Sequence, residues 1–242
     1  MHKKIKIYIL HGWTNRIEKW DGLLEQLKSA HIEPVFLKIP GLSVPMDDIW
    51  VLDDYVEWLR KIVIKEREKV VLLGHSNGGR ISLAFALKYP DRVERLILID
   101  SAGVYHNELP LRIKRFIFGG LAKAGKKISS SELMRNILYK LSREHDYQQA
   151  NPVLRSTMRN LIRVDLANRL NEIHIRTTVI WGEHDTITPL SDGQIMHQKI
   201  IGSTFYIIAG AKHSPQYTHP GDVANIVVNE LRTSKSQASS SK

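Results

Sequence analysis

The run Val70-Val71-Leu72-Leu73-Gly74-His75-Ser76-Asn77-Gly78 decides how this chain is read. Its first four residues are apolar and strand-like. The residues that follow it, Ile81 to Leu87, have helical spacing. A serine framed by Gly74 and Gly78 at a strand-to-helix junction is the sequence form of a nucleophile elbow. The turn is so tight that its neighbours must be very small, which the two glycines provide. It holds the serine at the tip, beside the first free N–H groups of a helix, where negative charge is stabilised.

Outward from this run, short β-rich stretches alternate with longer amphipathic ones. The expected strands are Lys4 to Leu10, Pro34 to Ile39, Lys69 to Leu73, Arg95 to Ile99, Thr177 to Trp181 and Thr204 to Ala209. Their near-continuous apolar character suits strands covered on both faces. Helices are expected near Trp20 to Ala30, through Leu52, Tyr55, Val56, Leu59, Ile62 and Val63, after Ser76, near Asp192 to Lys199, and near Pro220 to Leu231. This alternation predicts an α/β fold with a mostly parallel sheet of about six strands. It breaks once, between Ile99 and Thr177. There the apolar residues fall at helical spacing, ending with Leu154, Met158, Leu161 and Ile162. Residues 1–104 plus 171–232 are therefore expected to form the core, with 105–170 a helical insertion. An insertion after a strand's carboxyl end lies over the ligand-binding edge of the sheet and can act as a lid. The Ser- and Lys-rich residues 233–242 read as a disordered tail.

The chain has 242 residues, enough for one large domain or a core plus an insertion, and a formal net charge of +10. The charge is uneven. Residues 105–170 hold thirteen Lys and Arg against five Asp and Glu. An acidic substrate, an anionic membrane surface and nucleic acid are the partners such a segment suits, and solvated helix faces are the plain alternative. There is no cysteine. That excludes disulfides, thiolate metal sites and cysteine nucleophiles, and fits a reducing compartment, so a cytoplasmic location is expected. Lys6 interrupts the first apolar run, which therefore reads as a buried strand rather than a signal peptide or membrane span.

A serine hydroxyl is a weak nucleophile and needs a base beside it, with an acid to orient that base. Asp185 is the acid candidate, in Trp181-Gly182-Glu183-His184-Asp185 after the fifth strand. Glu183 and Asp100 are its rivals. His213 is the base candidate, in Gly210-Ala211-Lys212-His213-Ser214-Pro215 after the last strand, with His219 the nearest competitor. An oxyanion hole needs backbone N–H donors, each worth about 3–4 kcal/mol. Asn77, after the serine, and Trp13, in the turn His11-Gly12-Trp13 after the first strand, are placed to supply them. No histidine pair has zinc-like spacing near a glutamate, so no metal is expected.

These four separated pieces resemble the α/β-hydrolase-fold serine hydrolases, as do Tyr89-Pro90-Asp91-Arg92-Val93 and Asp100-Ser101-Ala102-Gly103. The resemblance covers about 170 residues outside the insertion. It implies Ser76 as nucleophile, Asp185 as acid, His213 as base, N–H groups of Trp13 and Asn77 at the oxyanion hole, and no cofactor. The chain starts at the strand leading into His11, without the two opening strands of larger members. Its second strand is followed by Pro40-Gly41-Leu42-Ser43-Val44-Pro45, with one glycine where the family has a Gly-x-Gly turn.

The resemblance implies cleavage of small carboxylic esters or lactones through an acyl-enzyme, as a carboxylesterase does. Carbon–carbon hydrolysis of acidic dienoic substrates is the alternative, and a ligand-binding receptor without turnover is another. A serine at the elbow argues against the dehalogenases and epoxide hydrolases of this fold, which use aspartate. Phe116, Phe118, Leu121, Met134 and Leu138 are candidates for an apolar acyl pocket. Leu109 to Gly125 is basic and amphipathic, which suits weak contact with an anionic surface. No nucleic-acid-binding motif accompanies the charge.

Overall fold

Six short stretches become strands, the central ones apolar on both sides. The computed structural model describes residues 5–13, 17–106 and 152–239, with side chains as far as residue 233. Its strands are β1 (Ile5–Leu10), β2 (Ile32–Phe36), β3 (Val70–His75), β4 (Val93–Ile99), β5 (Arg176–Gly182) and β6 (Thr204–Ile208). All pair in parallel, in the order β2-β1-β3-β4-β5-β6. The α-helices among the described residues are α1 (Asp21–Ser29), α2 (Leu52–Val63), α3 (Asn77–Lys88), α4 (Pro152–Ile162), α5 (Leu190–Lys199), α6 (Pro215–Thr218) and α7 (Pro220–Ser239).

The two-residue period of a strand sorts its side chains between two cores. Ile7 and Ile9 of β1, Val71 and Leu73 of β3, and Ile97 and Ile99 of β4 join Leu23 and Leu27 of α1 and Val223, Val227 and Leu231 of α7. The intervening Tyr8, Leu10, Val70, Leu72, Leu96 and Leu98 face Tyr55, Val56 and Leu59 of α2, Ile81 and Phe85 of α3, and Met196 of α5. Each buried side chain of this size contributes about 1.5–3 kcal/mol. Burial on both faces therefore outweighs local strand propensity, whose whole range is about 1 kcal/mol.

The winding reverses between β1 and β3. The chain leaves β1 through α1 on one face of the sheet and returns to β3 through α2 on the other. The carboxyl ends of strands flanking such a reversal form a crevice that binds ligands. β1 and β3 are directly paired there, Leu10 opposite Gly74.

Two expectations change. β2 was expected over Pro34 to Ile39 but is Ile32–Phe36. After Phe36 the chain leaves the sheet for a turn in which Gly41 N–H donates to the Val44 carbonyl, 2.8 Å. Leu37 and Ile39 are buried, so their apolar pattern belongs to a core-facing loop. Pro34 is accommodated because β2 is an edge strand. At the other end, α7 continues to Ser239, through residues expected in a disordered tail.

α4 packs on the core. Leu161, at the end of α4, is fully buried in the α2–α3 cluster, and Thr157 Oγ1 accepts the Trp50 N–H at 3.0 Å. Phe116, Phe118, Leu121, Met134, Leu138 and the segment Leu109 to Gly125 lie outside the described residues. Among the described residues no helix is long and apolar enough to cross a membrane.

Candidate active site

Ser76 stands between β3 and α3 with φ 53° and ψ −119°, a conformation an L-residue adopts only under constraint. The constraint is visible. The Ser76 N–H donates to the Ile99 carbonyl at 3.1 Å, and its own carbonyl accepts from Ala102 N–H at 2.9 Å and Gly79 N–H at 3.0 Å. The elbow is thus tied to the end of β4. The flanking glycines are needed for space. A Cβ on Gly78 would lie 2.0 Å from the Leu10 carbonyl oxygen, and one on Gly74 would lie 2.7 Å from that of Gly78.

The three residues expected to act together are brought together. His213 Nε2 lies 3.0 Å from Ser76 Oγ, and His213 Nδ1 lies 2.7 Å from Asp185 Oδ2. All three are buried. The Asp185 carboxylate also accepts from Ile187 N–H at 2.7 Å, Thr188 N–H at 3.2 Å and the Thr188 hydroxyl at 2.8 Å. Those donors fix the acid, the acid fixes the imidazole, and the imidazole meets the serine. This is the geometric test for an activated nucleophile. Thr188 was not anticipated from sequence: one hydroxyl in an irregular loop carries no spacing signal.

The rival candidates have other partners. Asp100 is fully buried, and its Oδ1 accepts the Gly182 N–H at 2.8 Å. Burial, with the charge of Asp185 added, pushes its carboxyl well above the usual range. Glu183 accepts the Gly210 N–H at 2.8 Å, outside the site. His219 stands before α7, its carbonyl accepting the Val223 N–H at 3.2 Å and its Nδ1 2.8 Å from the Thr218 hydroxyl.

The β1 loop closes on the serine from the far side. A Cβ on Gly12 would fall 2.9 Å from Ser76 Cβ and 3.3 Å from its Oγ. Only glycine lets the backbone come so near. His11 Nδ1 donates to the Gly12 carbonyl at 2.7 Å, and its Nε2 accepts from the Ser43 hydroxyl at 2.9 Å. The Gly12 carbonyl and the Trp13 N–H belong to one planar peptide and point oppositely. Holding the carbonyl on His11 therefore turns the Trp13 N–H away from it. Trp13 and Asn77 both line the cavity of about 410 Å³ that contains Ser76 and His213.

His75, beside the nucleophile candidate, packs against Trp20 and His213, with ring centroids 6.0 and 5.1 Å apart. Burial, and then the neighbouring His213, holds its imidazole well below the usual 6.5. His75, Asp100 and His213 form a compact set of possible metal ligands. Both His213 nitrogens are already engaged, so the set offers fewer free donors than a zinc site uses.

Comparison with known proteins agrees with this fold. The family described as alpha/beta hydrolase fold matches residues 6–220. The 2-hydroxy-6-oxononadienedioate/2-hydroxy-6-oxononatrienedioate hydrolase of Escherichia coli K12 is 27% identical over 255 residues, covering 91% of this chain and 82% of that one. The pimeloyl-[acyl-carrier protein] methyl ester esterase of Aeromonas salmonicida is 24% identical over 245 residues, covering 91% and 93%. Among solved structures, a thermophilic esterase from Thermogutta terrifontis superposes with a TM-score of 0.71 at 21% identity, covering 96% and 90%. The match spans every strand of the sheet and all four loops that meet at Ser76, and on that basis the chain belongs to the α/β-hydrolase-fold family.

Proposed function

We propose that this protein is a serine hydrolase that cleaves small carboxylic esters or lactones through an acyl-enzyme. The observation that carries the reading is the hydrogen-bonded series Ser76–His213–Asp185 beneath a strained elbow. In this scheme His213 Nε2 takes the Ser76 proton as Oγ attacks the carbonyl carbon. The N–H groups of Trp13 and Asn77 hold the oxygen that becomes negative. His213 then gives its proton to the departing alkoxide, and the carbonyl re-forms as the acyl-enzyme. Water, deprotonated by His213, attacks the acyl carbon and frees the acid and Ser76. Asp185 holds the imidazole in the tautomer with its proton on Nδ1. The Aeromonas relative, named as a methyl ester esterase, supports ester cleavage.

A second reading, carbon–carbon bond hydrolysis of an acidic dienoic substrate, is favoured by the Escherichia coli relative, named as a hydrolase of such compounds. The test is a panel of p-nitrophenyl esters of increasing acyl length, lactones and a dienoic keto acid, run on wild type and Ser76→Ala. Ester turnover should fall by roughly 10⁴ or more in the variant. Ester turnover that survives the substitution removes Ser76 from its role, and turnover of the keto acid alone favours the second reading.

A further inference from the structure

Two buried polar side chains beside the serine have no task in acyl transfer. Asn77 and Arg80 are three residues apart on α3 and so share a face of its first turn. Each is only 1% exposed. Both line the cavity that holds Ser76 and His213. Neither Nδ2 nor Oδ1 of Asn77 has a hydrogen-bond partner among the described residues, and neither has Nε or Nη2 of Arg80.

Among the described residues Arg80 has one hydrogen-bond partner, the Leu161 carbonyl at the end of α4, to which Nη1 donates. That bond leaves one edge of the guanidinium, Nε and Nη2, without an acceptor. Asp165 is near enough to favour the charged form. Its Oδ1, however, accepts the N–H groups of Tyr105 and Ala167, at 3.2 and 3.0 Å. Burial pulls the guanidinium down to about 10, which still leaves it positive at neutral pH. The described cavity wall does not neutralise it. Lys19 and Lys212 also line the walls, and no Asp or Glu is among the described lining residues. A buried cation with idle donors is costly to keep unless something else meets it.

We propose that Arg80 and Asn77 form a carboxylate subsite next to Ser76, and that the substrate's acyl part ends in a free carboxylate. The substrate class is then a half-ester of a short dicarboxylic acid, a statement that rests on ester cleavage at Ser76. The planar edge of Arg80 matches a carboxylate through two parallel hydrogen bonds. The Asn77 amide adds a further donor. Ser76 and Arg80 are one helical turn apart, about 6 Å along the axis, so the spacer between attacked carbonyl and carboxylate is short.

The test compares p-nitrophenyl pentanoate with mono-p-nitrophenyl glutarate, two five-carbon acyl chains that differ only in the terminal carboxylate. Wild type should prefer the glutarate at least tenfold in kcat/KM, mainly through KM. Arg80→Met should bring that ratio close to one, and Arg80→Lys, which keeps a point charge but no planar fork, should leave part of it. A wild-type ratio of one or less overturns the subsite. So does a loss in the variants that is equal for both esters, since a merely structural arginine would behave that way. Binding of glutarate and pentanoate to Ser76→Ala, with and without Arg80→Lys, is measured by calorimetry and needs no chemistry. Arg80-dependent glutarate binding without turnover of either ester keeps the subsite and discards ester hydrolysis. Turnover of both esters with equal binding of the two acids does the reverse.

Discussion

Asp100 and Asp185 end adjacent strands, and their hydrogen-bond donors set them apart. Asp185 receives His213 Nδ1–H and three donors from its own loop; Asp100 receives one backbone N–H and is otherwise buried. The second environment suits a neutral acid. Asp185→Asn should therefore cost roughly 10⁴ in kcat by favouring the wrong imidazole tautomer. Asp100→Asn, which mimics the neutral acid and keeps an acceptor for Gly182, should stay within about tenfold of wild type. Steady-state kinetics on the two variants at pH 7.5 decides it, and a collapse in Asp100→Asn would return that residue to candidacy as the acid. Its place after the fifth strand made Asp185 the acid candidate in the sequence, but Glu183 and Asp100 fit the order serine, acid, histidine as well. The donors that explain the choice were not legible, because Thr188 and Ile187 bond to it through a turn no periodicity marks. Arg80 was hidden for a different reason: in sequence it is an ordinary helix residue, and only the packing of α4 shows that it is buried.

The elbow is where strand, turn and helix constrain one another most. A methyl group on Gly78 meets the Leu10 and His11 carbonyl oxygens at 2.0 and 2.7 Å, both backbone atoms of the neighbouring strand and its loop. They can yield only if β1 moves. Gly78→Ala should lose about 3 kcal/mol in denaturant unfolding, at the upper end of overpacking costs. Gly221, in the first turn of α7, has its nearest contact at 3.7 Å, and its alanine variant should stay within about 1 kcal/mol of wild type. Equal losses would mean that the elbow is not the tighter site. Elements with apolar residues on both faces were legible, since burial fixes their pattern wherever they pair. β2 slipped because Leu37 and Ile39 are equally apolar in a loop, and α6 was missed because four residues are too few to show a period.

Across the molecule, buried histidines tie stability to pH. Burial holds both His75 and His11 below 6.5. Below about pH 6.5 the unfolded chain takes up protons at these positions that the folded chain refuses, so stability falls as pH falls through that value. Asp100 acts oppositely. Its folded form keeps a proton that the unfolded chain loses above about 3.8, which costs stability as pH rises. In denaturant unfolding between pH 7.5 and 5.5 the two histidines weaken the fold on acidification while Asp100 opposes them, so the single-histidine variant isolates one contribution. His75→Asn should lower the slope of stability against pH by up to about 1.4 kcal/mol per pH unit. An unchanged slope would show that His75 protonates alike in both states.

The bond between Ser76 and His213 joins residues 137 apart in sequence, while His213 and Asp185 are 28 apart. A chain that has paired only β5 with β6 can bring the base and the acid together, yet it has no hydroxyl to act on. The serine comes from β3, and β4 must lie between β3 and β5 before the distances close. Closing so long a loop is the slow part of forming a sheet. The Ser76–His213–Asp185 series is then assembled only once β3, β4, β5 and β6 lie together, so hydrolysis reports on that whole stretch of the sheet at once.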